Sequence, residues 1–181
     1  MSWRPKPATR LGGARSRAGH ADRSYGHDLC DALIAGAVGT ETLNVATYLD
    51  MAVRGRPSSS APEESVRKIT GVLHLRLGPE DRAANRRSAL GALLGYGVGV
   101  SVPVVLTLLV GPRRVPLPVA AGLLGAGTML ATDAGLAALR VSDPRSWSGA
   151  DWLSDAVPHL AYGFAAALTL RRLGLIRRIW T

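Results

Sequence analysis

Aromatic side chains are scarce in this chain, at 5% of 181 residues, with a single Phe. A water-soluble core normally fills much of its volume with large rings, so the shortage argues against one. Cysteine is scarcer still. Cys30 stands alone, which excludes an intrachain disulfide and any cysteine-rich metal site. The residues before it, His27-Asp28-Leu29, do not fit a lipoprotein signal, and residues 1–26 have no apolar run that would make a cleavable signal. Lysine occurs only at Lys6 and Lys68 against 20 arginines. That bias, with the abundance of Ala and Gly, reads as GC-rich coding, but the net charge of +9 remains physical. Catalytic signatures are absent as well: no HExxH, no phosphate-binding G-x-x-x-x-G-K-[ST], no G-x-S-x-G. Gly95-Tyr96-Gly97-Val98-Gly99 resembles half of a phosphate loop but lies inside an apolar run with no strand before it.

What is present is long stretches without charge. Residues 88–110 carry none and are bracketed by Arg86-Arg87 and Arg113-Arg114. Residues 116–139 carry only Asp133 and are closed by Arg140. About 20 apolar residues suffice to cross the hydrocarbon of a bilayer as a helix, so both runs predict spans. Two further spans are expected at 32–53 and 156–176. The first of these contains Glu41, Asn44 and Asp50. A charged residue at a helix centre costs roughly 2.5–3.5 kcal/mol on the insertion scale, so that span depends on its neighbours. The last has His159 near its start, Arg171-Arg172 near its end, and Trp147, Trp152 and Trp180 as interfacial anchors. The rival reading keeps two spans with flanking amphipathic helices.

The expected fold is therefore all-α: a four-transmembrane-helix bundle preceded by a disordered basic tail over residues 1–26. Between the first two spans, Val66, Ile69, Leu73 and Leu77 recur at helical spacing opposite Arg67, Lys68 and Arg76. That pattern predicts a short amphipathic helix over 61–77, N-capped by Ser60 with Glu63 at its third position and ended by Gly78-Pro79. Ala35-Gly36-Ala37-Val38-Gly39 is echoed by Ala121-Gly122-Leu123-Leu124-Gly125, and Leu94-Gly95-Tyr96-Gly97 by Leu160-Ala161-Tyr162-Gly163. This order suggests two repeated helical hairpins related by an axis along the membrane normal. Basic residues slightly favour the side holding both termini, which places them in the cytoplasm.

Three groups of residues stand out. Glu41, Asn44 and Tyr48 share a helical face inside the first span, and an intramembrane carboxylate suggests a proton relay, an ion ligand or a buried neutral acid. Because spans alternate in direction, Asp50, Asp133, Asp155 and His159 fall near one interface, where carboxylates and an imidazole suit proton transfer or a divalent metal. Gly91, Gly95 and Gly99 form a small-residue stripe for close helix packing, and Pro103 predicts a kink because it cannot bond the Gly99 carbonyl.

The run Gly39-Thr40-Glu41-Thr42-Leu43-Asn44-Val45-Ala46-Thr47-Tyr48-Leu49-Asp50-Met51-Ala52-Val53-Arg54-Gly55-Arg56-Pro57-Ser58-Ser59-Ser60, leading into Pro62-Glu63, resembles a stretch of small actinobacterial multi-pass membrane proteins. That family has no assigned activity. The resemblance covers the first half of the chain, implies a bacterial plasma membrane and carries over no catalytic residues. Three classes of function follow. The first is a structural or accessory protein that packs with itself or a larger membrane assembly. A small proton- or ion-linked transporter or channel using the intramembrane carboxylates comes second, and a metal-dependent membrane enzyme third. The lipid bilayer is the expected partner, nucleic acid is not, and no cofactor is expected.

Overall fold

The computed structural model describes residues 13–110 and 115–175, with side chains over 26–109 and 115–175. Among these residues the chain is all-α, with five helices and no strand. They are α1 (Gly13–Arg54), α2 (Ala61–Val72), α3 (Glu80–Val110), α4 (Leu117–Ala138) and α5 (Gly149–Leu173), with a 3-10 turn at Pro144–Ser146. Two helices, α3 and α4, are each long and apolar enough to span a membrane. The outer pair, α1 and α5, carry Glu41, Asn44 and Asp50, and Asp151 and Asp155, and fall short of that measure.

α1 packs on α3 and α5, and α4 packs on α5 and more thinly on α3, so the four long helices form a ring. A strict twofold relation between the hairpins α1/α3 and α4/α5 would make the α1–α5 and α3–α4 interfaces equal. They are not: α1–α5 is extensive and α3–α4 is slight.

The distribution of side chains is inverted relative to a soluble bundle. The core is built largely from small residues, Ala35, Ala120, Ala166 and Ala167, around Leu124, Tyr162 and Leu170. Large aliphatic and aromatic groups such as Ile34, Leu49, Leu93, Leu130, Leu160 and Phe164 face outward. Inside lie polar groups: Thr40, Thr128, Asp133 and His159. In lipid, aliphatic side chains gain nothing by hiding from their surroundings, so helices hold together through close contact and internal polar bonds.

Three sequence expectations need correction. The basic tail expected over 1–26 is helical from Gly13 onward, and residues 1–12 lie outside those described. Residues 13–26 interleave three Ala and three Arg with three Gly and hold no proline, so an already nucleated helix can continue back through them. The amphipathic helix expected over 61–77 ends at Val72. There His74 adopts a left-handed φ of 54°, and Leu75 and His74 donate to the Thr70 and Gly71 carbonyls, closing the end as a Schellman motif. The Ser60 cap does not form. Ser60 is already helical, at φ −84° and ψ −4°, whereas a capping residue needs extended backbone; Ser59 Oγ accepts from the Ala61 N–H at 3.2 Å instead. A capping box does form where none was expected: Ser148 and Asp151 exchange bonds at the start of α5.

α2 lies against the start of α3. A side chain at Gly91 would meet the Pro62 backbone at 2.9 Å, and Ser65 and Val66 are buried there. Val72, Leu73 and Leu75 at its far end stay exposed.

Candidate functional site

The centre of the bundle is Tyr162 on α5, which is fully buried. Its ring fills the space over Gly39 of α1, where an added Cβ would come within 2.7 Å of the ring. Its hydroxyl donates to the Gly99 carbonyl of α3 at 2.5 Å. That carbonyl is free because its helical donor would be residue 103, and Pro103 has no N–H. Thr128 of α4 lies beside the same hydroxyl. One side chain thus ties together all four long helices.

The backbones of the long helices approach most closely at glycines other than the expected stripe. A methyl at Gly163 would meet Gly125 N at 2.6 Å, one at Gly125 would meet the His159 carbonyl oxygen at 2.7 Å, and one at Gly36 would meet Val100 Cα at 2.7 Å. Of the expected stripe, Gly91 seats α2 and Gly99 seats Thr40 of α1, while Gly95 has open space around it.

Glu41 and Asn44 come together as their spacing suggests, but the residue that joins them is on another helix. Tyr96 of α3 donates a short hydrogen bond to Glu41 Oε1, and Asn44 Nδ2 stands 3.5 Å from the Tyr96 oxygen. Tyr48 is 62% exposed and takes no part in this bond set. Glu41 faces outward, beside an open recess of about 430 Å³ lined by Ala37, Val38, Thr42 and Val45. Tyr96 is legible in the sequence only as a repeat element; its role as a donor needs the α1–α3 register.

The interface cluster divides in two. Asp50 is held by Arg54 at 2.7 Å and by Arg56 at 2.6 Å, and Arg54 also reaches Ser154 Oγ on α5. Asp133, Asp155 and His159 lie deeper, between α4 and α5, with His159 Nδ1 3.4 Å from Asp155 Oδ1. Asp133 is 8% exposed, and its Oδ1 and Asp155 Oδ2 are buried without a hydrogen-bond partner. Among the described residues, no three His, Cys, Asp or Glu side chains converge closely enough to hold a metal ion. The arrangement can hold and exchange a proton, and it can orient an imidazole. On α2, the ion pair Arg67–Glu64 keeps the Glu64 carboxylate below its usual range, chiefly through the guanidinium bond. Arg113-Arg114, Ile176 and Trp180, named above as flanking features, lie outside the described residues. Comparison with protein-family models, with curated proteins and with solved structures returns no match for this chain.

Proposed function

We propose that this chain is a four-span protein of a bacterial plasma membrane that serves as a helix-packing subunit of a membrane assembly. The exposed apolar exterior and the polar interior support the first part. α3 and α4 insert on their own strength. α1 and α5 follow by packing against them, with their polar groups turned largely toward other helices. The termini face the cytoplasm, in keeping with the basic residues on that side. The likeness of residues 39–60 to small actinobacterial multi-pass proteins agrees with this location.

One observation carries the second part: Glu41 is on the outer surface of the bundle, within a span, and among the described residues only Tyr96 bonds it. A carboxyl group turned to hydrocarbon is costly, by roughly 2.5–3.5 kcal/mol if charged near the centre. A neighbouring protein surface that supplies hydrogen-bond donors removes that cost. The recess beside Glu41 gives such a neighbour a place to seat. Mass measurement of the protein extracted from its membrane in mild detergent tests the reading. The expected particle contains more than one chain, and Glu41→Gln weakens it. A folded, lone monomer in that extract overturns the proposal.

A further inference from the structure

We propose that Asp133, Asp155 and His159 form a binding site for one exchangeable proton at the α4–α5 crossing. The site is independent of Glu41, and it rests on how four polar atoms are disposed. His159 Nδ1 lies 2.8 Å from the Asp155 backbone carbonyl and 3.4 Å from its Oδ1. A carbonyl only accepts, so the nearer contact requires Nδ1 to carry hydrogen, and Nε2 becomes the basic nitrogen of the neutral ring. The ring proton is then spent on the backbone. It leaves the Asp155 carboxyl group unsatisfied, and Asp155 Oδ2 indeed has no partner. Across the crossing, Asp133 Oδ1 is also bare, and the Asp133 side chain lies within electrostatic range of both Asp155 and His159.

Two neighbouring carboxylates, Asp133 buried and Asp155 partly so, call for a compensating positive charge. No arginine or lysine bonds to either one among the described residues. From α1 the nearest cation is Arg54, which is engaged with Asp50 and Ser154. At the start of α3, Arg86 is bonded to the Leu77 carbonyl and Arg87 to Glu80. A metal ion lacks a converging ligand set. A proton needs no converging set: a single bare carboxylate oxygen can take it.

The crossing itself keeps these groups in place. Gly125 and Gly163 bring the α4 and α5 backbones together one to two turns from the cluster, so the carboxyl groups cannot separate without parting the helices. Counting along the helices at about 1.5 Å per residue, the site lies some 8–15 Å inside the ends of α4 and α5. A proton held there is drawn from water through the end of the bundle.

Infrared spectroscopy of the protein in liposomes tests this. A protonated carboxyl group gives a C=O stretch distinct from carboxylate and shifted by deuterium. The expected result is such a band at neutral pH, retained in Glu41→Gln and lost in the double variant Asp133→Asn/Asp155→Asn. Asp133→Asn alone leaves α5 unaltered, and it should change the proton affinity reported by that band at least tenfold. His159→Gln should also move the titration midpoint. An unchanged band and midpoint in the folded single variant, or loss of the band in Glu41→Gln, overturns the proposal.

Discussion

The Tyr162 hydroxyl donates to the Gly99 carbonyl at 2.5 Å, and Pro103 is the reason that carbonyl is free to accept. A helix defect on α3 is thus repaired from α5. Tyr162→Phe keeps the ring over Gly39 and strands a buried acceptor, for a loss of about 1–3 kcal/mol. Pro103→Ala returns an N–H to Gly99, so the same Tyr162→Phe change should cost much less in that background. Denaturant unfolding in detergent of the two single variants and the double variant measures the coupling; equal losses in both backgrounds would show that Pro103 plays no part in the bond.

The glycines sort by what surrounds them. Gly163→Ala and Gly125→Ala press a methyl into backbone and should each lower stability by about 1–3 kcal/mol. Gly95→Ala and Gly97→Ala meet open space and should be neutral or slightly stabilising, since Ala is the better helix former. Thermal unfolding of the four variants side by side checks the order.

That contrast shows where the sequence was legible. Residues 88–110 and 116–139 announce themselves because hydropathy is a local property, and α3 and α4 lie where the uncharged runs put them. The stripe Gly91, Gly95, Gly99 defines a face by spacing alone, but which glycine meets a neighbour depends on the crossing point, which is not local. For the same reason Gly36, Gly125 and Gly163, where helix backbones meet, were visible only as members of a repeat. The expectation of alternating spans groups Asp50, Asp133, Asp155 and His159 near one interface. It could not foresee that Arg54 and Arg56 would take Asp50 away from the others. The start of α5 at Gly149, ahead of the expected 156, is set by Ser148 and Asp151, three residues apart as a capping box requires; hydropathy does not register such a polar cap.

His74 occupies a left-handed conformation, φ 54°, that side chains other than glycine enter at a cost of about 1–2 kcal/mol. His74→Gly should relieve that strain and stabilise the end of α2 by about 1 kcal/mol. An upward shift in the unfolding midpoint is the expected reading, and a fall would mean that the imidazole itself holds the turn.

The capping box gives a pH signature at the start of α5. Bonds from the Ser148 side chain, then from its backbone, hold the Asp151 carboxyl below the ordinary aspartate range. A carboxyl whose folded value lies below its unfolded value of about 3.9 stabilises the fold above that pH. The contribution fades as pH falls through the folded value. Ser148→Ala should therefore cost about 1 kcal/mol at neutral pH, and its deficit should shrink in acid. Unfolding of both proteins across an acid series checks the sign; a deficit that grows as pH falls contradicts it.

The uneven ring of interfaces makes the last helix a keystone. α5 supplies the broad surfaces that hold both α1 and α4, whereas α4 has only a slim seam with α3 without it. The first and last helices are joined across most of the chain's length, so the ring closes only once α5 is in place. Without it the chain has one firm hairpin and one helix waiting for its mate.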